Sequence, residues 1–107
     1  MTAVNDLLDT AKLIGREVTV DELGNITNWN PEESNDDAFQ LMVALGMEVY
    51  VDTHPDGCQC VEVESHTHTS GRYIVNFRFT PDKMQATRTA IFLTACTVAR
   101  NLYGHAM

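Results

Sequence analysis

Three consecutive stretches between Met47 and Thr80, MEVYVDTH, CQCVEVES and RYIVNFRFT, alternate apolar and polar residues. A period of two belongs to half-buried β-strands, because successive side chains on a strand point to opposite faces. Met47, Val49 and Val51, then Val61 and Val63, then Tyr73, Val75, Phe77 and Phe79 mark one apolar face. The connections HPDGC and HTHTSG are short, so the sequence predicts a three-stranded antiparallel meander.

Turn chemistry predicts the register. With Pro55, Asp56 and Gly57 as a three-residue loop, and Gly57 in the left-handed position of a bulge, His54 falls opposite Cys58. Val51 then pairs with Val61 and Val49 with Val63, while Asp52 faces Cys60, Tyr50 faces Glu62 and Glu48 faces Glu64. A two-residue loop would set Val51 against Glu62, an apolar position against a charged one, and is rejected. The same parity in the second hairpin pairs Val63 with Val75 and Val61 with Phe77, leaving a loop from His66 to Arg72. On the other face it sets Cys60 beside Arg78 and Glu62 beside Asn76.

Helices are expected before and after this sheet in the chain. Val4, Leu7, Leu8, Ala11 and Ile14 recur at helical spacing, and Gly15 suits the stop of a short amino-terminal helix. The stretch from Arg16 to Trp29 fits either two short strands around Leu23, Gly24 and Asn25 or an irregular connection. Asn30, Pro31 and Glu33 read as the cap and first turn of a helix that continues through Ala38, Phe39, Leu41, Met42 and Leu45 to Gly46. Thr80 and Pro81 repeat that start for a last helix reaching Tyr103 and Gly104, with Met84, Thr87, Ile91, Ala95, Val98 and Leu102 as its apolar stripe. The expected class is therefore α+β: a three-stranded antiparallel meander with two helices packed on one face and a short N-terminal helix.

At 107 residues the chain is expected to form a single domain, 1–107. Its net charge of −8 is uneven: residues 1–46 carry nine acids and two bases, net −7, and residues 47–107 carry six and five, net −1. That balance argues against nucleic acid as a direct partner, since phosphate contacts need a basic patch, and suits a partner with a basic surface. No apolar run reaches membrane-spanning length and the start lacks a signal-peptide pattern, so no membrane association and a cytoplasmic location in the host cell are expected. Three cysteines, two of them one residue apart, do not suggest a disulfide framework.

The run NWNPEESNDDAFQLMVALGMEVYV followed later by FTPDKMQATRTAIF resembles the phage ABA sandwich domain family. The resemblance covers about residues 28–104, with residues 1–27 outside it, and its motifs are folding signals rather than catalytic ones. It implies helical layers on both sheet faces and a small phage- or prophage-encoded accessory protein. It implies no established activity.

His54, Cys58, Cys60, His66 and His68 are the usual donor types for zinc. Cys58 and His66 stand eight residues apart along an extended strand, roughly 25 Å at about 3.3 Å per residue, so the five cannot share one ion. His54, Cys58 and Cys60 alone lack a fourth ligand within the chain, and no metal or other cofactor is expected. Ser65 and Ser70 lie near His66 and His68 without a recognisable orienting group, so no catalytic residues are assigned and no enzyme is expected. Glu32, Glu33, Asp36 and Asp37 are the candidate partner-binding acids, with Asp36 and Asp37 expected beyond the first helical turn, where the dipole effect fades. Tyr50, Asp52, Glu62, His66, His68, Arg72, Asn76 and Arg78 form the alternative patch for a ligand or an interface. The leading expectation is a factor that binds, and inhibits, a host protein through an acidic surface. The alternative is a homodimer that binds a nucleotide or metabolite.

Overall fold

The computed structural model describes residues 4–53, 59–65, 71–76 and 82–103. In chain order these form α1 (Val4–Leu13), α2 (Asn35–Ala44), β1 (Met47–Thr53), β2 (Gln59–Ser65), β3 (Gly71–Asn76) and α3 (Lys83–Tyr103). The class is α+β, with the strands antiparallel in the order β1-β2-β3. Expectations resting on His54, Pro55, Asp56, Gly57, Cys58, His66, His68, Ser70, Phe77, Arg78, Phe79, Thr80, Pro81 and Gly104 lie outside the described residues. Asp52, Arg72, Tyr73, Val75 and Asn76 are placed by backbone register alone.

The β1/β2 register follows the parity argument: Val51 pairs with Val61, Val49 with Val63, Asp52 with Cys60, Tyr50 with Glu62 and Glu48 with Glu64. The second hairpin differs from expectation by two residues. Val61 pairs with Val75 rather than Phe77, Val63 with Tyr73 rather than Val75, Cys60 with Asn76 and Glu62 with Ile74. Pairing runs on to Ser65 and Gly71, so the connection is 66–70 and not the longer loop assumed. A shift of two residues preserves the faces of a pleated strand, so hydrophobic parity alone does not distinguish the two registers.

Helix boundaries are set by caps. α1 ends in a Schellman arrangement: Arg16 N donates to Ala11 O at 2.9 Å and Gly15 N to Lys12 O at 3.2 Å, with Gly15 at φ 69°. That left-handed backbone is open to glycine without the Cβ clash other residues meet. α2 does not start at Asn30 and Pro31. Those residues form a preceding turn, and Ser34 is the cap, its Oγ accepting from Asp37 N at 3.2 Å. At the start of α3, Asp82 Oδ1 accepts from Met84 N at 3.0 Å and Gln85 N at 3.1 Å. In both places a side-chain oxygen two or three residues ahead accepts from the free amides, and at α2 it does so downstream of the Asn30-Pro31 signal. Between Arg16 and Trp29 only a single bridge forms, Val20 to Ile26, around a turn in which Asp21 Oδ1 accepts from Leu23 N and Asn25 N, each at 2.9 Å.

The core lies on one face of the sheet. Val61 and Val63 of β2 are fully buried with Ala38, Leu41 and Leu45 from the α2 region and Ala86, Ala90, Ile91, Phe92 and Ala95 of α3. Burying a side chain such as Leu41 or Phe92 is worth about 1.5–3 kcal/mol before entropy is charged. α3 packs against α1, α2 and all three strands, so its middle is buried over a far wider arc than one stripe. Met84 and Leu102, expected in that stripe, lie beyond the enclosed segment and are exposed. α1 packs on α3, where Leu7 and Ala11 are buried. It thus does not supply the second covering layer that the family resemblance implies.

Trp29 is the largest fully buried side chain and sits where no periodicity pointed. Its Nε1 donates to the buried Thr10 Oγ1 at 3.3 Å, and the Arg16 guanidinium lies 5.6 Å from the ring centre. The irregular connection is thereby pinned to α1.

Candidate functional site

The acids before and within α2 have defined duties. Asn30 organises the turn: its Oδ1 accepts from Glu32 N at 3.1 Å, its O accepts from Ser34 N at 2.9 Å, and its Nδ2 donates to Glu33 Oε2 at 3.3 Å. Asp37 Oδ2 accepts from Asn30 N at 2.8 Å. From α3, Gln85 Nε2 and Arg88 Nε both donate to Glu32 O at 2.9 Å, and Arg88 Nη1 donates to Asn35 Oδ1 at 2.7 Å. Asp36 and Asp37 therefore lie in the first turn of α2, not beyond it, and both carboxylates complement its positive end. The expectation that the dipole leaves them unexplained is corrected. Glu33 and Asp36 are exposed, while Glu32 and Asp37 are half-buried.

Arg88 and Gln85 were not singled out by sequence, although their three-residue spacing places them on one helix face. They join α3 to the acidic turn. Ser65 Oγ makes a second such tie, donating to Leu45 O at 2.9 Å and joining the end of β2 to the end of α2.

The other candidate surface is the sheet face turned away from the helices. By register and pleat it carries Glu48, Tyr50, Glu62, Glu64 and Ile74. Glu48, Tyr50 and Ile74 are exposed, and Glu62 and Glu64 on the central strand are half-buried. Backbone register sets Glu48 directly opposite Glu64, and Glu64 in turn opposite Arg72. Like charges directly opposed across a strand pair are unfavourable, so this face is not arranged for sheet stability alone. Tyr50 donates its hydroxyl proton to Glu48 Oε2. That hydrogen bond, with the nearby charges of Glu64 and Glu62, holds the Tyr50 phenol above its usual range. Of the alternative patch, Tyr50 and Glu62 share this face, and Asp52, Arg72 and Asn76 share it by register. His66, His68 and Arg78 lie outside the described residues.

Among the described residues no group of three or more His, Cys, Asp or Glu side chains stands close enough to hold a metal ion. Cys60 and Cys96 are both buried. Burial pushes the Cys96 thiol up to about 12, with Asp6 adding to the effect, and makes it a poor nucleophile. No described helix is long and apolar enough to cross a membrane. No protein-family model matches the chain, and no curated protein or solved structure matches it.

Proposed function

We propose that the protein is a non-catalytic interaction module that occupies a basic surface on a host protein, in the manner of a small phage or prophage accessory factor. The observation that supports this reading best is the sheet face carrying Glu48, Tyr50, Glu62 and Glu64, opposite the one on which Val61 and Val63 are buried. The acids at the start of α2 are partly absorbed by capping and by the turn before it. An acidic surface attracts basic partners over distances comparable to the Debye length and repels nucleic acid.

The test begins with capture of a partner from a bacterial host lysate, followed by titration of that purified partner with wild type and with a Glu48→Gln, Glu62→Gln, Glu64→Gln variant. The expected result is at least a tenfold loss of affinity and a flatter salt dependence in the variant. Unchanged affinity at low salt rejects the sheet face as the contact. A stoichiometric small mass retained in native mass spectrometry rejects the interaction module in favour of the ligand-binding alternative.

A further inference from the structure

β1 is an edge with one side unclaimed. In an antiparallel pair every second residue turns its N–H and C=O away from the partner strand, so β1 presents such a row on the side away from β2. No other strand stands there among the described residues. An open row of this kind is a template for a further strand, and natural edges are commonly blunted by proline, lysine or a bulge. MEVYVDT contains neither proline nor lysine, and its pairing with β2 runs unbroken from Met47 to Thr53. The side chains repeat the pattern of an unfinished edge. Met47, Val49 and Val51 share the helix-bearing face, since Val49 and Val51 pair with the fully buried Val63 and Val61. Met47 and Val49 are half-buried against the core, but Val51 is 55% exposed.

The residues of β1 select what completes it, because they complement themselves. Two copies of β1 paired antiparallel about a two-fold axis at Val49 set Val49 on Val49, Met47 on Val51 and Glu48 on Tyr50. Every apolar residue on the helix-bearing face then meets an apolar one, and on the other face Glu48 meets a phenol. The Tyr50 hydroxyl already donates to Glu48 within the chain, so the two groups are a matched donor and acceptor. Other registers that keep the faces are worse. An axis at Glu48 opposes Glu48 to itself and one at Tyr50 opposes it to Asp52, and like charges directly opposite are destabilising. An axis at Val51 leaves Met47 without an apolar partner and sets Val49 on Thr53. A slip of one residue sets apolar residues of one copy beside polar residues of the other. We infer that the protein forms a two-fold dimer by pairing β1 with β1 of a second copy about Val49, joining three strands from each copy into one sheet. The helices of both copies then lie on one side of that sheet, and the acidic faces adjoin on the other. This dimer does not depend on a basic host partner, and either can fail without the other.

The test is sedimentation of the full chain over a range of concentrations, with isotope-filtered NMR on a mixture of labelled and unlabelled protein. Wild type should sediment as a dimer, and methyl contacts should link Met47 of one copy to Val51 of the other. Within one strand those residues stand four apart, roughly 13 Å at about 3.3 Å per residue, too far for a direct contact. Tyr50→Glu places an acid opposite Glu48 twice per dimer and should weaken dimerisation about tenfold, with the circular dichroism of the folded chain retained. Tyr50→Lys places a cation there instead and should remain dimeric. A wild type that sediments as a monomer at the concentration of the NMR sample overturns the inference. So does a dimer whose intermolecular contacts fall in β3 or the helices, and so does equal dimerisation of the Tyr50→Glu and Tyr50→Lys variants.

Discussion

Thr10→Val tests whether the hydrogen bond to Trp29, rather than ring burial alone, pins the irregular connection to α1. Thr10 is fully buried, accepts from Trp29 Nε1 at 3.3 Å, and has Asp6 O at 2.9 Å and Leu7 O at 3.1 Å as acceptors for its own proton. Valine has the same shape but leaves the indole N–H facing a methyl group. An unmet buried donor costs about 1–3 kcal/mol. The added methyl offsets up to about 0.8 kcal/mol of this. The two carbonyls keep their places within the helix, so their loss is small. The net expectation is destabilisation by about 1–2 kcal/mol. With a urea slope near 1.5 kcal/mol/M, that lowers the unfolding midpoint by about 1 M. Urea unfolding followed by circular dichroism should be run for wild type, Thr10→Val, Trp29→Phe and the double variant. Phenylalanine has no N–H to satisfy, so Thr10→Val should cost little in that background and the coupling should be about 1–2 kcal/mol. An equal cost in both backgrounds would refute the hydrogen bond as the tie and leave only packing.

Three other outcomes follow from the geometry. The Tyr50 phenol titrates above its unfolded value, so its contribution to stability is complete below that value and is lost as pH rises through the folded pKa; ultraviolet titration of Glu48→Ala should move one tyrosine to lower pH, and an unchanged curve would sink the assignment. Cys96, at about 12, should be almost wholly un-ionised at pH 8. Mass mapping should therefore find it alkylated only under denaturing conditions, and rapid labelling of the native protein would contradict its burial. Asp37→Asn should lower stability by about 0.5–1 kcal/mol through weaker charge complementarity at α2, and Asp36→Asn by no more than about 0.5 kcal/mol. Reversal of that order in thermal melts would dispute the role of Asp37 as acceptor for Asn30 N.

The sheet was the most legible part of the chain because a one-residue slip in β1 would have put Val51 opposite Glu62. The two-residue shift of β3 carries no such penalty, and only loop length separates the alternatives. The start of α2 was misplaced for a different reason: Asn30 with Pro31 and Ser34 are both sound capping signals, and the turn before α2 uses the first while α2 uses the second. Trp29 was hidden because burial in an irregular segment leaves no period to read. The outer side of α2 was legible in principle. Ala38, Leu41 and Leu45 already complete an inward stripe, which leaves Phe39 and Val43 without a place in it. The acids were plain in the sequence, but their division between capping and surface depended on hydrogen bonds that composition does not encode.

The position of α3 bears on how the chain is made. A ribosome releases α1, α2 and the strands before it releases α3, yet α3 packs against every one of them. Until it emerges, Leu41, Val61 and Val63 lack the helix that encloses them, and the nascent chain offers chaperones the apolar sheet face that the finished protein hides. Once α3 is seated, it cannot leave without opening the whole core. Amide protons from Ala90 to Ala99 should consequently exchange with solvent only when the entire domain unfolds.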